Sequence, residues 1–135
     1  SVREKIRKEK MKPQKKNISF EDFEKLDIRI CKILSIEKVE KADKLYKLEI
    51  DTGIDKRIVV SAIAQSFLEK DLLNQHLPFI LNLEPRKIRG IESNAMIILG
   101  ETVESKKLFM VSPIVFDDVI SSGDGWKELT GAIVI

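Results

Sequence analysis

Cysteine, histidine, tryptophan and tyrosine each occur once in these 135 residues. The lone Cys31 excludes an intrachain disulfide and any multi-cysteine zinc site, and it fits a reducing compartment. His76 lies in Gln-His-Leu-Pro with no serine or cysteine elbow beside it, so it reads as a surface or strand-edge residue. Six glycines are scattered and form no phosphate-cradling loop. The aspartate pairs at 51/55 and 117/118 fall at turns, where aspartate bonds its own backbone. No apolar run approaches the roughly 18 residues of a membrane helix, and a Lys/Arg run stands where a signal peptide would need an apolar stretch. These absences point to a non-enzymatic, cytoplasmic domain with no catalytic residue, cofactor, metal or membrane partner. Aromatics are also few, six Phe, one Tyr and one Trp. Of these only Tyr46 sits on a middle strand, facing inward, so stacking of single-stranded bases is disfavoured.

Charge is abundant and unevenly placed. Residues 1–16 carry eight basic and two acidic side chains, a net +6. The remaining 16 basic and 20 acidic residues give −4. Such a basic block serves either as an arm for nucleic acid or acidic surfaces, or as a solvated linker. Pro13 disfavours helix before it and sets a boundary near residues 13–17. The organisation expected is a basic arm over 1–18 and one folded domain over 19–135, large enough to bury a core without staples.

Within that domain the period is mostly two. Ser19 and Asp22 ahead of Phe23 predict a capped helix over about 19–25. Leu26, Ile28 and Ile30 alternate with polar residues, and Leu34 and Ile36 resume, which predicts one long strand bulged near 31–32. Residues 41–44 interrupt it. Tyr46, Leu48 and Ile50 point inward on the next strand, and Thr52-Gly53 turns the chain. A third strand over 57–63, a helix within 66–75 and strands at 77–83, 95–99, 108–111 and 129–135 complete the pattern. Short strands with one helix between the third and fourth predict an all-β fold, a β-barrel of the OB-fold type.

Residues 82–96 differ in chemistry. The chain leaves a strand at Asn82, turns at Pro85 and presents Arg86, Lys87 and Arg89 within four residues. Gly90 permits close backbone approach, and Ser93 adds a hydroxyl. Guanidinium groups and backbone amides suit phosphate oxygens, so this loop is either a phosphate clamp or an ordinary charged loop.

Several stretches resemble one family. They are Leu-Asp-Ile-Arg-Ile at 26–30, Lys-Ala-Asp-Lys-Leu-Tyr at 41–46, Arg-Ile-Val-Val-Ser at 57–61 and Asn-Leu-x-Pro-Arg-Lys-Ile-Arg-Gly-Ile-x-Ser-x-x-Met at 82–96. In order and spacing they resemble the tRNA-binding domain of the endothelial-monocyte-activating polypeptide and of appended domains in methionyl- and tyrosyl-tRNA synthetases. The resemblance implies an OB-fold that binds the outer corner of tRNA by shape and backbone contacts. It implies partnership with an aminoacyl-tRNA synthetase, in cis or in trans and of methionyl type, and a homodimer. RNA-binding positions implied by the resemblance are Arg29, Lys44, Arg57, Asn82, Lys87, Arg89, Ser93 and Met96, and the basic loop read above adds Arg86 as a candidate. Departures are Cys31, Ala62 and Ala95 at usual glycine positions and Glu84 where lysine is common. The segment 29–35 resembles a heptapeptide linked with cytokine activity, which leaves a signalling module released from a synthetase as the alternative.

Overall fold

The computed structural model describes residues 1–135. The chain opens on α1 (Val2–Lys10), whose first turn is closed by a capping box between Ser1 and Glu4. None of its side chains is buried, and Lys10 Nζ, 3.9 Å from Glu104, ties it to the body. Ser19 Oγ accepts from the Asp22 N–H at the start of α2 (Phe20–Glu24), as the Ser-x-x-Asp spacing predicts.

The strands follow as β1 (Ile28–Val39), β2 (Ala42–Asp51) and β3 (Lys56–Ser61). After α3 (Glu69–Leu72) come β4 (His76–Ile80), β5 (Arg86–Ile88), β6 (Ile91–Ser93) and β7 (Met96–Ile97). Last are β8 (Leu99–Glu101), β9 (Leu108–Met110), α4 (Asp118–Ser121) and α5 (Trp126–Leu129). One antiparallel sheet runs β3-β2-β1-β4-β7, with β5–β6 and β8–β9 as separate ribbons. The molecule is mostly β, with a short helix between β3 and β4 as predicted. That helix spans four residues within the 66–75 stretch, and of these only Leu72 is buried.

Two details of β1 differ from expectation. The extra residue falls at Leu34, between the pairs Ile33–Ile50 and Ser35–Glu49, not at 31–32. The inward parity before it is therefore Cys31 and Ile33, both fully buried, rather than Ile28 and Ile30. After the bulge the phase shifts by one and Ile36 packs against the core. Residues 28–32 pair with β4 while 32–39 pair with β2. The interruption foreseen at 41–44 is only a two-residue turn, Glu40-Lys41, after which Ala42 already starts β2.

Tyr46, Leu48 and Ile50 face inward as predicted, and Tyr46 Oη donates to the Phe67 carbonyl at 2.8 Å. With Cys31, Ile33, Leu77 and Phe79 they form the core, each worth about 1.5–3 kcal/mol on full burial of a large apolar side chain. Burial pushes the Cys31 thiol up to about 12, so it is packing material and not a nucleophile. The segment 130–134 lies along the first half of β1, with bonds from Ile30 N–H to Ala132 O and from Val134 N–H to Ile28 O. A β-carbon at Gly53 (φ +89°) would lie within steric overlap of Gly131, so glycine is required where this segment meets the β2–β3 turn.

His76 opens β4, at a strand end as its sequence context suggests, and is half-buried. Its ring lies 5.8 Å from that of Trp126, Lys32 Nζ sits 4.0 Å above the indole, and the imidazole Nε2 is buried without a partner. Burial first, and the Lys32 charge second, hold its pKa below the ordinary 6.5. The unfolded chain therefore takes up this proton before the native one does, and stability falls as pH drops below about 6.5. His76→Phe keeps a ring against Trp126 and cannot titrate. Thermal melts between pH 7.5 and 5.5 should show a smaller loss of Tm in that variant than in the parent.

Candidate nucleic-acid interface

The two ends of the five-stranded sheet, β3 and β7, share no ladder. Side chains span the gap instead. Arg57 on β3 donates through Nη1 to the carbonyls of Leu81 (2.9 Å) and Asn94 (3.1 Å), and through Nε to Asp55 (3.0 Å). Ser93 Oγ accepts from the Val60 N–H at 3.0 Å. The Asn94 N–H donates to Ile58 O at 3.0 Å. Arg57 and Thr52 hold the Asp55 carboxyl below the usual carboxylate range.

Four of the nine expected binding positions are thus engaged by hydrogen bonds within the protein. Besides Arg57 and the buried Ser93, Asn82 accepts from Asp27 N–H (2.8 Å) and donates to Lys25 O (2.6 Å), pinning the end of α2. Arg29 lies on the same strand parity as Cys31 and Ile33, with Nε 2.9 Å from Asp27, whose carboxylate raises its pKa. These contacts join residues as far as 57 positions apart, which no local pattern reveals.

The other five positions are exposed: Lys44, Arg86, Lys87, Arg89 and Met96. None of the four basic ones has an ion partner within 4 Å. β5 and β6 form a hairpin closed by Arg89-Gly90, both at positive φ (53° and 78°), the backbone of a type I′ turn. Arg86 is paired with Ser93 on the face turned to β3, while Lys87 is paired with Glu92 on the opposite face. The run of three basic residues therefore does not act as one cluster. Arg86 belongs to a hollow with Met96, and Arg89 sits at the tip.

That tip meets a second one. Glu40-Lys41 joins β1 to β2 with Lys41 at φ 60°. Arg89 and Lys41 border the same two shallow depressions, one completed by Lys44 and the other by Lys38 and Lys47. Sequence reasoning passes over Lys38, Lys41 and Lys47. The signal that could mark them is a lysine in a two-residue turn, a position that glycine or asparagine occupies with less strain. The heptapeptide-like segment 29–35 lies within the central strand, with Cys31 and Ile33 fully buried.

Comparison with known proteins places this geometry. Residues 28–122 match the family described as "Putative tRNA binding domain". The chain belongs to this tRNA-binding domain family. A methionine–tRNA ligase of Flavobacterium johnsoniae is 47% identical over 102 residues, covering 76% of this chain and 14% of the ligase. The ligase of Parabacteroides distasonis is 46% identical over 104 residues, 77% of this chain and 15% of that protein. The chain spans about one-seventh of the length of these relatives. The crystal structure of a MetRS-related protein from Pyrococcus horikoshii superposes with a TM-score of 0.75 at 29% identity, over 90% of this chain and all of that one. A CsaA chaperone from Bacillus anthracis shares the fold, with a TM-score of 0.70 at 21% identity over 89% of this chain and all of that one.

Within this family frame the engaged residues have a separable role. Ser93→Ala leaves the Val60 N–H buried without a partner, at a cost of about 1–3 kcal/mol. Chemical denaturation should show that decrease, whereas Lys44→Ala should change stability by less than about 0.5 kcal/mol.

Proposed function

We propose that this chain is a non-catalytic tRNA-binding domain acting with an aminoacyl-tRNA synthetase of methionyl type, in cis or in trans. One observation carries the reading. The family match covers the body, and on that body two turn tips present Lys41 and Arg89 together, unpaired and on strained backbone. Strain of this kind persists where a side chain serves a purpose beyond stability. With no aromatic ring among the side chains that line these depressions, contacts to phosphates and to the shape of a folded RNA are the mode this surface supports, which suits the outer corner of tRNA. We read the strands as an OB-fold, a reading supported by the Arg57 and Ser93 bonds that link β3 to the far end of the sheet in place of a closing ladder. Lys41, Lys44, Arg86, Arg89 and Met96 form the contact surface, and Lys87 adds positive charge from the opposite face of the hairpin. Arg29, Arg57, Asn82 and Ser93 hold that surface in shape.

Residues 1–18 act as an arm and 19–135 as the folded domain. The arm's +6 supplies attraction that an acidic body lacks. The exposed apolar side chains of Ile114, Phe116 and Val119 support self-association as a homodimer. Light scattering at tens of micromolar tests that, with a monomer as the contrary result.

The arm and the tips should fail differently. For each phosphate that the protein no longer neutralises, the slope of log affinity against log salt flattens by about 0.7–0.9. Deleting residues 1–16 should flatten that slope by several units and leave the preference for tRNA over duplex RNA intact. Arg89→Asn keeps a residue that accepts positive φ, so the turn survives, yet it should cost about 1–3 kcal/mol of tRNA affinity and erode the preference. An unchanged slope together with a silent Arg89→Asn would remove the tRNA site from this surface. Strong preference for one anticodon would contradict recognition by shape.

A further inference from the structure

A hollow opens between β3, the base of the β5–β6 hairpin and β7. Its deepest wall is apolar, formed by Val60, Ile88 and Ala95. Leu83 and Met96, each about half exposed, border it. Glu84 and Arg86 stand at the same hollow, and neither has an ion partner within 4 Å. The Ser93 hydroxyl is committed to the Val60 N–H, so polar recognition of an occupant falls to Glu84 and Arg86.

We infer that this hollow takes one unpaired guanine base of a bound RNA, with Glu84 reading its Watson–Crick edge. The inference rests on the tRNA-binding reading and names a base for the same face. A planar heterocycle suits an apolar slot, and the thioether of Met96 is a favourable neighbour for an aromatic ring. A carboxylate only accepts hydrogen bonds, so it needs donors side by side. Guanine offers two, N1–H and the N2 amine. Adenine and cytosine set a lone-pair ring nitrogen beside their amine, and uracil places its single N–H between two carbonyls. Arg86 supplies donors for the guanine O6. In a duplex these edges are already paired, so the base must be an unpaired one. The hollow holds one base and is not a stacking platform. An unpaired carboxylate beside a phosphate-binding hairpin repels the RNA backbone, and base discrimination is what offsets that repulsion.

The test uses the full chain with 13C-methyl-labelled methionine, titrated with the 5′-monophosphates of guanosine, inosine, adenosine, cytidine and uridine up to about 10 mM. The Met96 methyl signal should shift with GMP at about tenfold lower concentration than with any of the others. Inosine monophosphate, which lacks the N2 amine, should fall among the weak ones. Glu84→Gln and Glu84→Lys should each bring GMP down to the level of the rest. Equal response to all five, no Met96 shift, a preference unchanged in Glu84→Gln, or a stronger response to a short apolar peptide would each overturn the inference. Tight tRNA binding without guanine preference overturns only the base assignment. Guanine preference without tRNA binding overturns only the wider reading.

Discussion

Arg57 and Ser93 bridge the gap between the two unpaired ends of the main sheet, β3 and β7, and the placement of the β5–β6 hairpin on the basic face follows from them. The β5–β6 hairpin shares no hydrogen-bond ladder with that sheet. What fixes it is the Ser93 hydroxyl under Val60, the Asn94 N–H on Ile58 and the Arg57 guanidinium on two carbonyls. A hydrogen bond from a charged donor contributes about 1.5–3 kcal/mol, more than a neutral one. Asp55 balances the Arg57 charge and is itself held by Thr52, so the clip continues into the β2–β3 turn. Gly53 in that turn admits Gly131, which carries the chain's last segment onto β1. Binding face and C-terminus are thereby joined through four adjacent elements.

The second dependence is on β1, which has to serve two partners along 12 residues. A straight strand would carry one side-chain parity from end to end. The extra residue at Leu34 changes the parity midway, so Cys31, Ile33 and Ile36 all reach the same interior. This explains which parts of the fold were legible in the sequence. Strand β2 alternates without interruption from Tyr46 to Ile50, and its inward face could be read directly. In β1, Ile28 and Ile30 imitate an inward parity because they too stay half-buried, on the face opposite Cys31 and Ile33. Periodicity cannot separate a covered outer face from a core face.

Legibility of the site divides along the same line. Exposed positions whose chemistry is local, such as Arg89 at a Gly-containing turn, could be picked out from spacing. Arg57, Asn82 and Ser93 owe their roles to partners 24 to 57 residues away, and a polar residue in a motif looks the same whether it meets a ligand or a neighbouring strand. The adjacency of Arg86 and Lys87 was misleading for the opposite reason. Neighbours in a strand face apart, so proximity in sequence became separation across the ribbon.

Charge placement gives these geometrical facts a division of labour. A body of net −4 repels a polyanion at long range, and screening confines that repulsion to about 8 Å at physiological ionic strength. The arm of +6 can cancel it from any direction, because α1 buries none of its side chains and commits only Lys10 to the body. Attraction of this kind is indifferent to the orientation of the partner. Lys41 and Arg89 are not, since each is fixed by a two-residue turn and each turn is fixed by a ladder. Under the proposed function, an RNA drawn in by the arm is held productively only where its phosphates meet those tips. Glu84 and the neighbouring acidic side chains penalise the poses that miss. If the proposed binding holds, the acidity of the body sharpens selection instead of merely weakening binding, because it disfavours poses in which an anionic partner meets acidic side chains rather than the basic tips.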